Sequence, residues 1–441
     1  MISQPRPDLL LVIALLRAAM PLFLAMVAGT AGSLVVTSVL GNHDTVTLAA
    51  FAVISAVLSA AAAAVQGALR GLGPFVAPFR EEPAAAVPVV RDARWLSLAT
   101  GLLGALVVLC VPPLARLTGV PDEVVREMGV LPWFLAAYLL VFASTGGAST
   151  ILVALGRSGY VLWPTLVFGV GVAGLTALLV PGLGLTGVGI AWVLSGAGAA
   201  GVATLSLRKA LGRPIGQGRP RTREIMKLAR VSIPLAGTVL IKFGVLSVVT
   251  FAASTTGTRD TAAHAVLSTL TGMIMLASLS VAQAAVPEVA RAADPAGARR
   301  AHRSAALLAV TGTLVVAGLL LGLGDNVLGL FTDDGAVRER ALGLLPLMLL
   351  SATLDAAQAV QGTGLTALKR SASSLLYFVI GYGLLVVAAV PVARTWGIDG
   401  LWAAMAVANG LLVVLQGTGF HRHSARVGQN PGSTRSPAQA R

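Results

Sequence analysis

The segment Ala49-Ala-Phe-Ala-Val-Ile-Ser55 returns later in the chain as Ala262-Ala-His-Ala-Val-Leu-Ser268, at an offset of 213 residues. On either side of it, the pairs that share this offset, or one residue more, are Arg17/Arg230, Pro21/Pro234, Thr37/Thr250, Leu131-Pro132/Leu345-Pro346, Ser158/Ser371 and Gly184/Gly397. Solenoid repeats have units of about 20 to 50 residues, so this period is too long for one. The chain therefore contains two copies of one fold, and duplicated halves in a membrane protein are typical of transporters.

The composition places both copies in a lipid bilayer. Hydrophobic residues make up 56% of the 441 residues and charged residues 11%, whereas about 25% is usual for soluble domains. A helix needs about 20 apolar residues to cross the bilayer, and irregular backbone cannot face lipid. The predicted transmembrane helices are 15–39, 46–70, 92–115, 128–152, 158–181, 184–207, 228–252, 261–286, 302–324, 339–364, 372–393 and 398–420.

These spans predict an all-α integral membrane protein with twelve transmembrane helices in two six-helix lobes. Because six is an even number, both copies enter the membrane in the same orientation, which makes the lobes parallel and places their pseudo-two-fold axis along the membrane normal. By this topology, 25 of the 32 Lys and Arg residues lie on the side that holds both termini. Basic residues mark the cytoplasmic side, so we expect a multi-pass protein of the cytoplasmic (plasma) membrane with both termini inside.

The predicted domains are an N-terminal lobe at 1–208, a cytoplasmic linker at 209–227, a C-terminal lobe at 228–420 and a disordered cytoplasmic tail at 421–441. The linker is rich in Gly, Pro and Arg, and the tail is rich in Ser, Gly, Pro and Arg. We expect no cleaved signal peptide, because the first apolar run contains Arg17 and Pro21 and continues beyond a plausible cleavage length.

Enzymatic and nucleotide-driven functions are disfavoured. The glycine-rich Gly67-Ala-Leu-Arg-Gly-Leu-Gly73 lacks the Lys-Ser/Thr ending of a phosphate-binding loop, and no Ser-His-Asp set fits the topology. The single Cys110 excludes an internal disulfide. The one-sided distribution of basic residues argues against nucleic acid as a partner. We expect no catalytic residue, no metal site and no cofactor, and a monomer that acts on a small amphiphilic substrate in contact with membrane lipid.

An ordered set of motifs resembles the multidrug and toxic compound extrusion (MATE) transporters of the multidrug/oligosaccharidyl-lipid/polysaccharide flippase superfamily. After Pro21, the motifs are Leu34-Val-Val-Thr-Ser-Val-Leu-Gly41, Leu48-Ala-Ala-Phe51, Thr261-Ala-Ala-His264, Gln283-Ala-Ala285, Leu330-Phe-Thr-Asp-Asp334 and Asp355-Ala-Ala-Gln358-Ala-Val-Gln-Gly362. The similarity extends from about Arg17 to Phe420. It implies an alternating-access exporter of amphiphilic organic compounds, usually driven by inward flow of protons or sodium.

The chain departs from the family pattern at charged positions. Members often carry an Asp where this chain has Val36. NorM-type members carry a Glu eight residues after the proline of the seventh helix, which is Pro234 here, and this chain has Lys242 at that position. The acid of the tenth helix is retained as Asp355. The resemblance therefore implies coupling through Asp355 and not through a carboxylate of the first helix.

Lys242 and Asp355 are the ionisable residues deep inside the predicted spans, where each charge costs about 2.5 to 3.5 kcal/mol on insertion scales. One hypothesis makes Asp355 a proton acceptor whose protonation Lys242 modulates as the lobes move. The other makes the two residues a permanent ion pair. A nearby ammonium disfavours sodium, so we expect proton coupling and a cargo that is apolar and neutral or anionic.

Six uncharged polar residues are candidates to line the transport cavity, although each can instead bond neighbouring helices. They are Thr37, Thr250, Gln283, Ser351, Gln358 and Gln361. Two functional alternatives stay open within the superfamily: a dedicated metabolite exporter and a flippase for lipid-linked precursors, although a flippase would need more cavity cations than Lys242. A receptor or scaffold is disfavoured, because the polar tails are short.

Overall fold

The computed structural model describes residues 7–42, 44–216 and 218–428, and no strand occurs among them. The long helices are α1 (Pro7–Gly41), α2 (Thr45–Arg70), α3 (Val87–Leu109), α4 (Leu131–Ala154), α5 (Leu162–Leu211), α6 (Thr222–Ser254), α7 (Thr258–Ala290), α8 (Pro295–Leu328), α9 (Gly335–Ala367) and α10 (Ser371–Ser424). Short helices between α2 and α5 are Gly73–Val76, Ala77–Phe79, Pro83–Ala86, Val111–Leu117, Asp122–Glu127 and Ser158–Val161. Each long helix is apolar enough to cross a membrane, which confirms the all-α membrane class.

The helices α5 and α10 are hairpins. With 50 and 54 residues, straight helices would be about 75 to 80 Å long at 1.5 Å per residue. Each contains one non-helical residue, Gly184 (φ 52°, ψ −134°) and Gly397 (φ 62°, ψ −155°). A Cβ atom on Gly187 would lie 2.8 Å from the backbone of Leu179, two residues that a continuous helix would hold about 12 Å apart. The chain therefore turns back at these glycines.

The two limbs of each hairpin are antiparallel, as the contacts between them show. In α5, a Cβ atom on Gly171 would lie 2.8 Å from Ser195 Oγ. In α10, the hydroxyl of Tyr382 donates to Asn409 Oδ1 at 2.9 Å. The limbs coincide with the spans predicted at 158–181 and 184–207, and at 372–393 and 398–420.

The turn of the α10 hairpin is held by ionic contacts. Arg340 of α9 donates from Nε to Asp260 Oδ1 of α7 at 2.8 Å, and its Nη2 contacts the carboxylate of Asp399, next to the turn. One guanidinium thus connects α7, α9 and the hairpin turn.

The helices form two compact units. The first unit is Arg17–Phe243, and the second unit is Gly244–Arg441 together with Met1–Leu16. The internal repeat placed the boundary in the linker at 209–227. The compact units instead divide inside α1 and α6, so the start of each copy's first helix is grouped with the other copy's helices.

Close packing explains this exchange. A Cβ atom on Gly67 of α2 would lie 2.7 Å from the side chain of Val239, and one on Gly71 would lie 2.6 Å from Ser232 Oγ. The absence of side chains on these glycines lets the first half of α6 lie against α2 in the first unit. In the second unit, Leu11 of α1 packs against a cluster that includes Val286 and other buried residues of α7 to α10.

The connection between the copies is fixed to α3. Arg221 donates from Nε to Asp92 Oδ1 at 3.2 Å and from Nη2 to the other carboxylate oxygen and to the carbonyl of Pro88. Asp92 is 2% exposed, and its hydrogen bond raises the pKa of Arg221. Arg94 Nη1 also donates to the carbonyl of Ile215 at 3.0 Å. The helices extend into the predicted linker from both sides, which leaves 212–221 between them.

The tail predicted from residue 421 begins differently from the expectation. The helix α10 continues to Ser424, which is fully buried and accepts a hydrogen bond from Arg299 Nε at 3.0 Å. This contact with α8 keeps residues 421–424 helical instead of disordered. Residues 429–441 lie outside the described residues.

Replacing Gly397 tests the hairpin turn. We expect Gly397→Ala to lower the free energy of unfolding by about 1 to 3 kcal/mol, because its φ and ψ lie where residues with a Cβ atom are strained. Gly383→Ala is the control, since Gly383 lies in a helical stretch with open space around its Cβ position, and it should be neutral or stabilising by up to about 1 kcal/mol. Titration with sodium dodecyl sulfate, followed by circular dichroism, measures both. Equal effects would contradict the turn geometry.

Replacing Arg221 tests whether its bond to Asp92 holds the segment between the two copies against α3. Arg221→Gln leaves Asp92 buried without its guanidinium, and we expect a loss of about 1 to 3 kcal/mol in the free energy of unfolding. Lys227→Gln is the matched control, because Lys227 and Glu224 form an exposed pair that contributes about 0.5 kcal/mol. The same titration compares the two variants. A loss no larger than the control's would show that the buried pair does not hold the connection.

Candidate transport site

Asp355 lies in the interior of α9 and is 6% exposed. Residues spaced by three and four positions share one face of a helix, and on α9 this spacing joins Ser351, Asp355, Gln358 and Gly362. A Cβ atom on Gly362 would lie 3.2 Å from Gln416 Oε1 of α10. The glycine therefore lets the second limb of α10 approach the polar face of α9.

Hydrogen bonds cross from α9 to α10 on one side of Asp355. Asn409 Nδ2 donates to Ser351 Oγ at 3.2 Å and to the Ser351 carbonyl at 3.3 Å. Asn409 Oδ1 accepts from the hydroxyl of Tyr382 at 2.9 Å. All three residues are buried, so this set joins α9 to both limbs of the hairpin.

A second set lies on the other side of Asp355. Gln358 Nε2 donates to Gln416 Oε1 at 2.9 Å, and Gln416 Nε2 donates to Ser374 Oγ at 3.2 Å. Gln416 is fully buried and Gln358 is 3% exposed. As in the first set, one side chain of the second limb bridges α9 and the first limb.

A histidine of α8 completes this group of buried polar side chains. His302 is 7% exposed, its Nε2 lies 2.7 Å from Gln361 Oε1, and its ring stacks on Phe420 with centroids 3.8 Å apart. We call the whole set the polar column: Ser351, Asp355, Gln358 and Gln361 of α9, Ser374, Tyr382, Asn409 and Gln416 of α10, and His302 of α8. Buried polar groups in a helix bundle are stable where neighbouring helices supply hydrogen-bond partners. The column therefore determines which side chains surround Asp355.

The first copy has no such column at the corresponding positions. With the offsets of the repeat, Asp355 corresponds to Val141, Ser351 to Ala137, Asn409 to Gly196 and Gln416 to Ala203. A Cβ atom on Gly196 would lie 3.7 Å from Val141 Cγ1, so the backbones meet in a similar way. Only the second copy combines this packing with a carboxylate.

Aromatic rings occupy this region of the first unit instead. The ring centroid of Tyr138 lies 5.7 Å from that of Phe142, 5.3 Å from Phe168 and 4.9 Å from Trp192. Val36, where the family often carries an acid, is fully buried in an apolar cluster of the same unit. The two copies therefore differ in chemistry while they share a fold.

The structure brings some of the predicted site residues together. Ser351, Gln358 and Gln361 lie with Asp355 in the polar column. Gln283 of α7 is half-buried, and its Nε2 has no hydrogen-bond partner among the described residues.

The other predicted positions lie elsewhere. Thr37 and Thr250 are exposed, and their hydroxyls donate within their own helices to the carbonyls of Ser33 and Leu246. Lys242 is half-buried and belongs to the first unit, whereas Asp355 belongs to the second. Pairing of Lys242 with Asp355 stays a prediction.

Sequence reasoning missed Asn409, Gln416, Tyr382, Ser374 and His302. The available signal was the spacing of Asn409 and Gln416, seven residues apart in an apolar run, which places two amide side chains on one helix face. Among the described residues, no group of three or more His, Cys, Asp and Glu side chains is placed to hold a metal ion.

Ten helices of membrane-spanning length among the described residues make this a polytopic membrane protein, and duplicated halves are typical of transporters. Comparisons with known proteins agree: residues 234–392 match the MatE family model. The "Probable multidrug resistance protein NorM" of Xanthomonas axonopodis pv. citri (strain 306) is 27% identical over 444 residues, covering 93% of each chain. The protein of the same name from Xylella fastidiosa (strain 9a5c) is 26% identical over 451 residues, covering 96% of this chain and 93% of its own. The chain is therefore similar to these proteins over nearly its whole length.

Solved structures share the fold at low sequence identity. The Vibrio cholerae MATE transporter VcmN, in its bent form, superposes with a TM-score of 0.82 at 17% identity and covers 95% of this chain and 98% of its own. A MOP superfamily transporter from Pyrococcus furiosus, described as having reverse polarity of its binding pocket, gives 0.83 at 16% identity and covers 96% and 99%.

Replacing Asn409 tests the column. Asn409→Leu removes the acceptor of Tyr382 and the donor to Ser351, and we expect the free energy of unfolding to fall by about 1 to 3 kcal/mol. Val407→Leu, at a position 72% exposed on the same limb, should change it by less than about 0.5 kcal/mol. Titration with sodium dodecyl sulfate measures both. Tyr382→Phe combined with Asn409→Leu should cost less than the sum of the single changes, and strict additivity would contradict a shared network.

Proposed function

We propose that this protein is a secondary-active efflux transporter that exports amphiphilic organic compounds by alternating access, driven by proton influx through Asp355. The match of residues 234–392 to the MatE family model and the multidrug resistance names of the relatives support the class of activity. The observation that carries the assignment of Asp355 is its burial in the polar column of the second unit, where the first copy has Val141.

The proposed architecture has twelve membrane crossings in two parallel six-helix lobes. Each copy contributes four single helices and one hairpin, and the two limbs of a hairpin account for two crossings. Six crossings return the chain to the side from which it entered, so that the second copy repeats the orientation of the first. With the basic residues on the cytoplasmic side, both termini are inside the cell and the working unit is a monomer.

A change of charge at Asp355 is large enough to drive a conformational cycle. An ionised carboxylate near the bilayer centre costs about 2.5 to 3.5 kcal/mol relative to a neutral side chain on insertion scales. A difference of this size between two conformations changes their population ratio by about 60- to 300-fold, since each 1.4 kcal/mol is a factor of ten. Proton binding on one side of the membrane and release on the other therefore biases alternating access.

Lys242 is proposed as the second transport residue. An ammonium group inside a span is costly and is retained mainly for function. Its positive charge disfavours a sodium site, which needs several oxygen ligands and net negative charge, and it disfavours a cationic cargo. The proposed cargo is therefore apolar and neutral or anionic.

Transport in proteoliposomes tests Asp355. With an imposed pH gradient, wild-type protein should move at least one of a panel of neutral, anionic and cationic amphiphiles, whereas Asp355→Asn should lower the rate at least about tenfold, a typical size for a coupling free energy. Asp333→Asn is the control, because Asp333 is an exposed acid in the connection before α9. A sodium gradient without a pH gradient should not drive transport. Wild-type rates in Asp355→Asn would overturn the assignment.

A double-mutant cycle tests whether Lys242 acts together with Asp355 or independently of it. If Lys242 and Asp355 act together, Lys242→Gln with Asp355→Asn should lose less transport than the product of the single losses. Independent, multiplicative losses would contradict a joint action. If wild-type protein moves none of the panel, the result would favour a dedicated metabolite exporter or a flippase for lipid-linked precursors.

A further inference from the structure

The turn between α9 and α10 has a lysine where the first copy has a glycine. Lys369 has a left-handed backbone (φ 59°), and Gly156, at the equivalent position, has φ 74°. The following residues, Arg370 and Arg157, have nearly identical conformations, with φ −113° and ψ 36° against φ −112° and ψ 43°. Among the described residues, Lys369 is the one non-glycine residue with a positive φ.

A lysine is strained in this conformation and a glycine is not, because the Cβ atom meets the backbone. The first copy shows that the fold accepts glycine at this turn. Strained positions of this kind concentrate at functional sites. The lysine side chain therefore has a role that the backbone of the turn does not require.

The first copy supplies a cation at the same turn from a different residue. A Cβ atom on Gly156 would lie 2.6 Å from the central carbon of the Arg80 guanidinium, so this guanidinium lies directly against the turn. The residue equivalent to Arg80 in the second copy is Ala293. Both copies thus keep a positive charge at this turn, although the residue that carries it has changed.

Further basic side chains lie near the turn in the second unit. Arg370 and Arg426 are both close enough to His423, near the end of α10, for their charges to act on its imidazole ring. Arg299 of α8 fixes the end of α10 in place by donating to Ser424 Oγ at 3.0 Å and to the carbonyl of His421 at 3.2 Å. The group is therefore held together by the fold.

Two acidic residues at this end of the second unit contact groups close to them in the chain. Glu288 bonds to Arg291 at 2.6 Å, and Asp294 caps the start of α8 by accepting from the amide of Gly297. Among the described residues, neither Arg370 nor Arg426 pairs with a carboxylate. In the first unit, by contrast, Arg221 is paired with Asp92.

Apolar surface adjoins these cations. Leu376, Val379 and Ile380 of the first limb of α10 are exposed, and Leu376 lies six residues, or about 9 Å, from Arg370 along the helix. A ligand that bears an anionic group beside hydrocarbon chains would satisfy both features at once.

We propose that Lys369, Arg370, His423 and Arg426 bind the phosphate group of an anionic membrane lipid, whose acyl chains lie along the first limb of α10. Basic clusters at the ends of transmembrane helices attract anionic lipids. Here Lys369 and Arg370 come from the turn before α10, and His423 and Arg426 come from the end of α10, which Arg299 of α8 contacts. A bound phosphate would favour the charged form of Lys369. The site is independent of the transported compound.

Lipid retention by the full-length protein tests this proposal. Protein equilibrated with phosphatidylglycerol and phosphatidylcholine in detergent would be analysed by native mass spectrometry. We expect wild type to retain phosphatidylglycerol preferentially and Arg370→Gln with Arg426→Gln to lower that retention about tenfold, as expected for two cations at a membrane surface. The control, Arg116→Gln with Arg394→Gln, removes two exposed arginines elsewhere and should retain lipid as wild type does.

Lys369→Gly separates a lipid site from a structural role. The change restores the glycine of the first copy, so the melting temperature should stay the same or rise while retention of phosphatidylglycerol falls about fivefold, as expected for one cation. Retention that is unchanged in both the Arg370/Arg426 and Lys369 variants, or that falls equally in the Arg116/Arg394 control, would overturn the proposal. Displacement of the lipid by millimolar inorganic phosphate would also overturn it, because the site would then bind free phosphate.

Discussion

Hydrocarbon offers no hydrogen bonds, so each polar group inside this protein must be satisfied by the protein itself. This constraint makes the described chain helical and decides where helices break. The only non-helical residues inside α5 and α10 are Gly184 and Gly397, where the chain reverses. It also decides how a carboxylate can be held deep in α9. Asp355 lies between two sets of hydrogen bonds that connect α9 with both limbs of α10.

The duplication supplies a comparison within one molecule. The copies share the hairpin turns and the positive φ of the turn that precedes the fifth helix, yet the first has apolar and aromatic side chains where the second has the polar column. At these positions the two copies differ in their side chains. The first copy has apolar and aromatic side chains, and the second copy has a carboxylate.

The copies also exchange the beginnings of their first helices. Gly67 of α2 and Gly71, which follows α2, let α6 approach within the first unit, and Leu11 of α1 packs in the second. The helices α1 and α6 thus each begin in one unit and continue in the other. Lys242 lies near the point where α6 leaves the first unit, so both of the proposed transport charges belong to helices of the second copy although the compact units separate them.

The sequence by itself determined the membrane class, the duplication and the helical spans, because these follow from apolar run length and from the repeat, which are local properties. It also singled out Asp355, Ser351, Gln358 and Gln361 as candidates, because they are charged or polar residues inside an apolar span. Only the tertiary structure decided which residues surround Asp355. Asn409 and Gln416 reach α9 from more than fifty residues away, and Gly362 permits their approach. Likewise, the exchange of α1 and α6, the burial of Asp92 under Arg221 and the ordered end of α10 depend on contacts between segments far apart in the chain, which periodicity cannot encode.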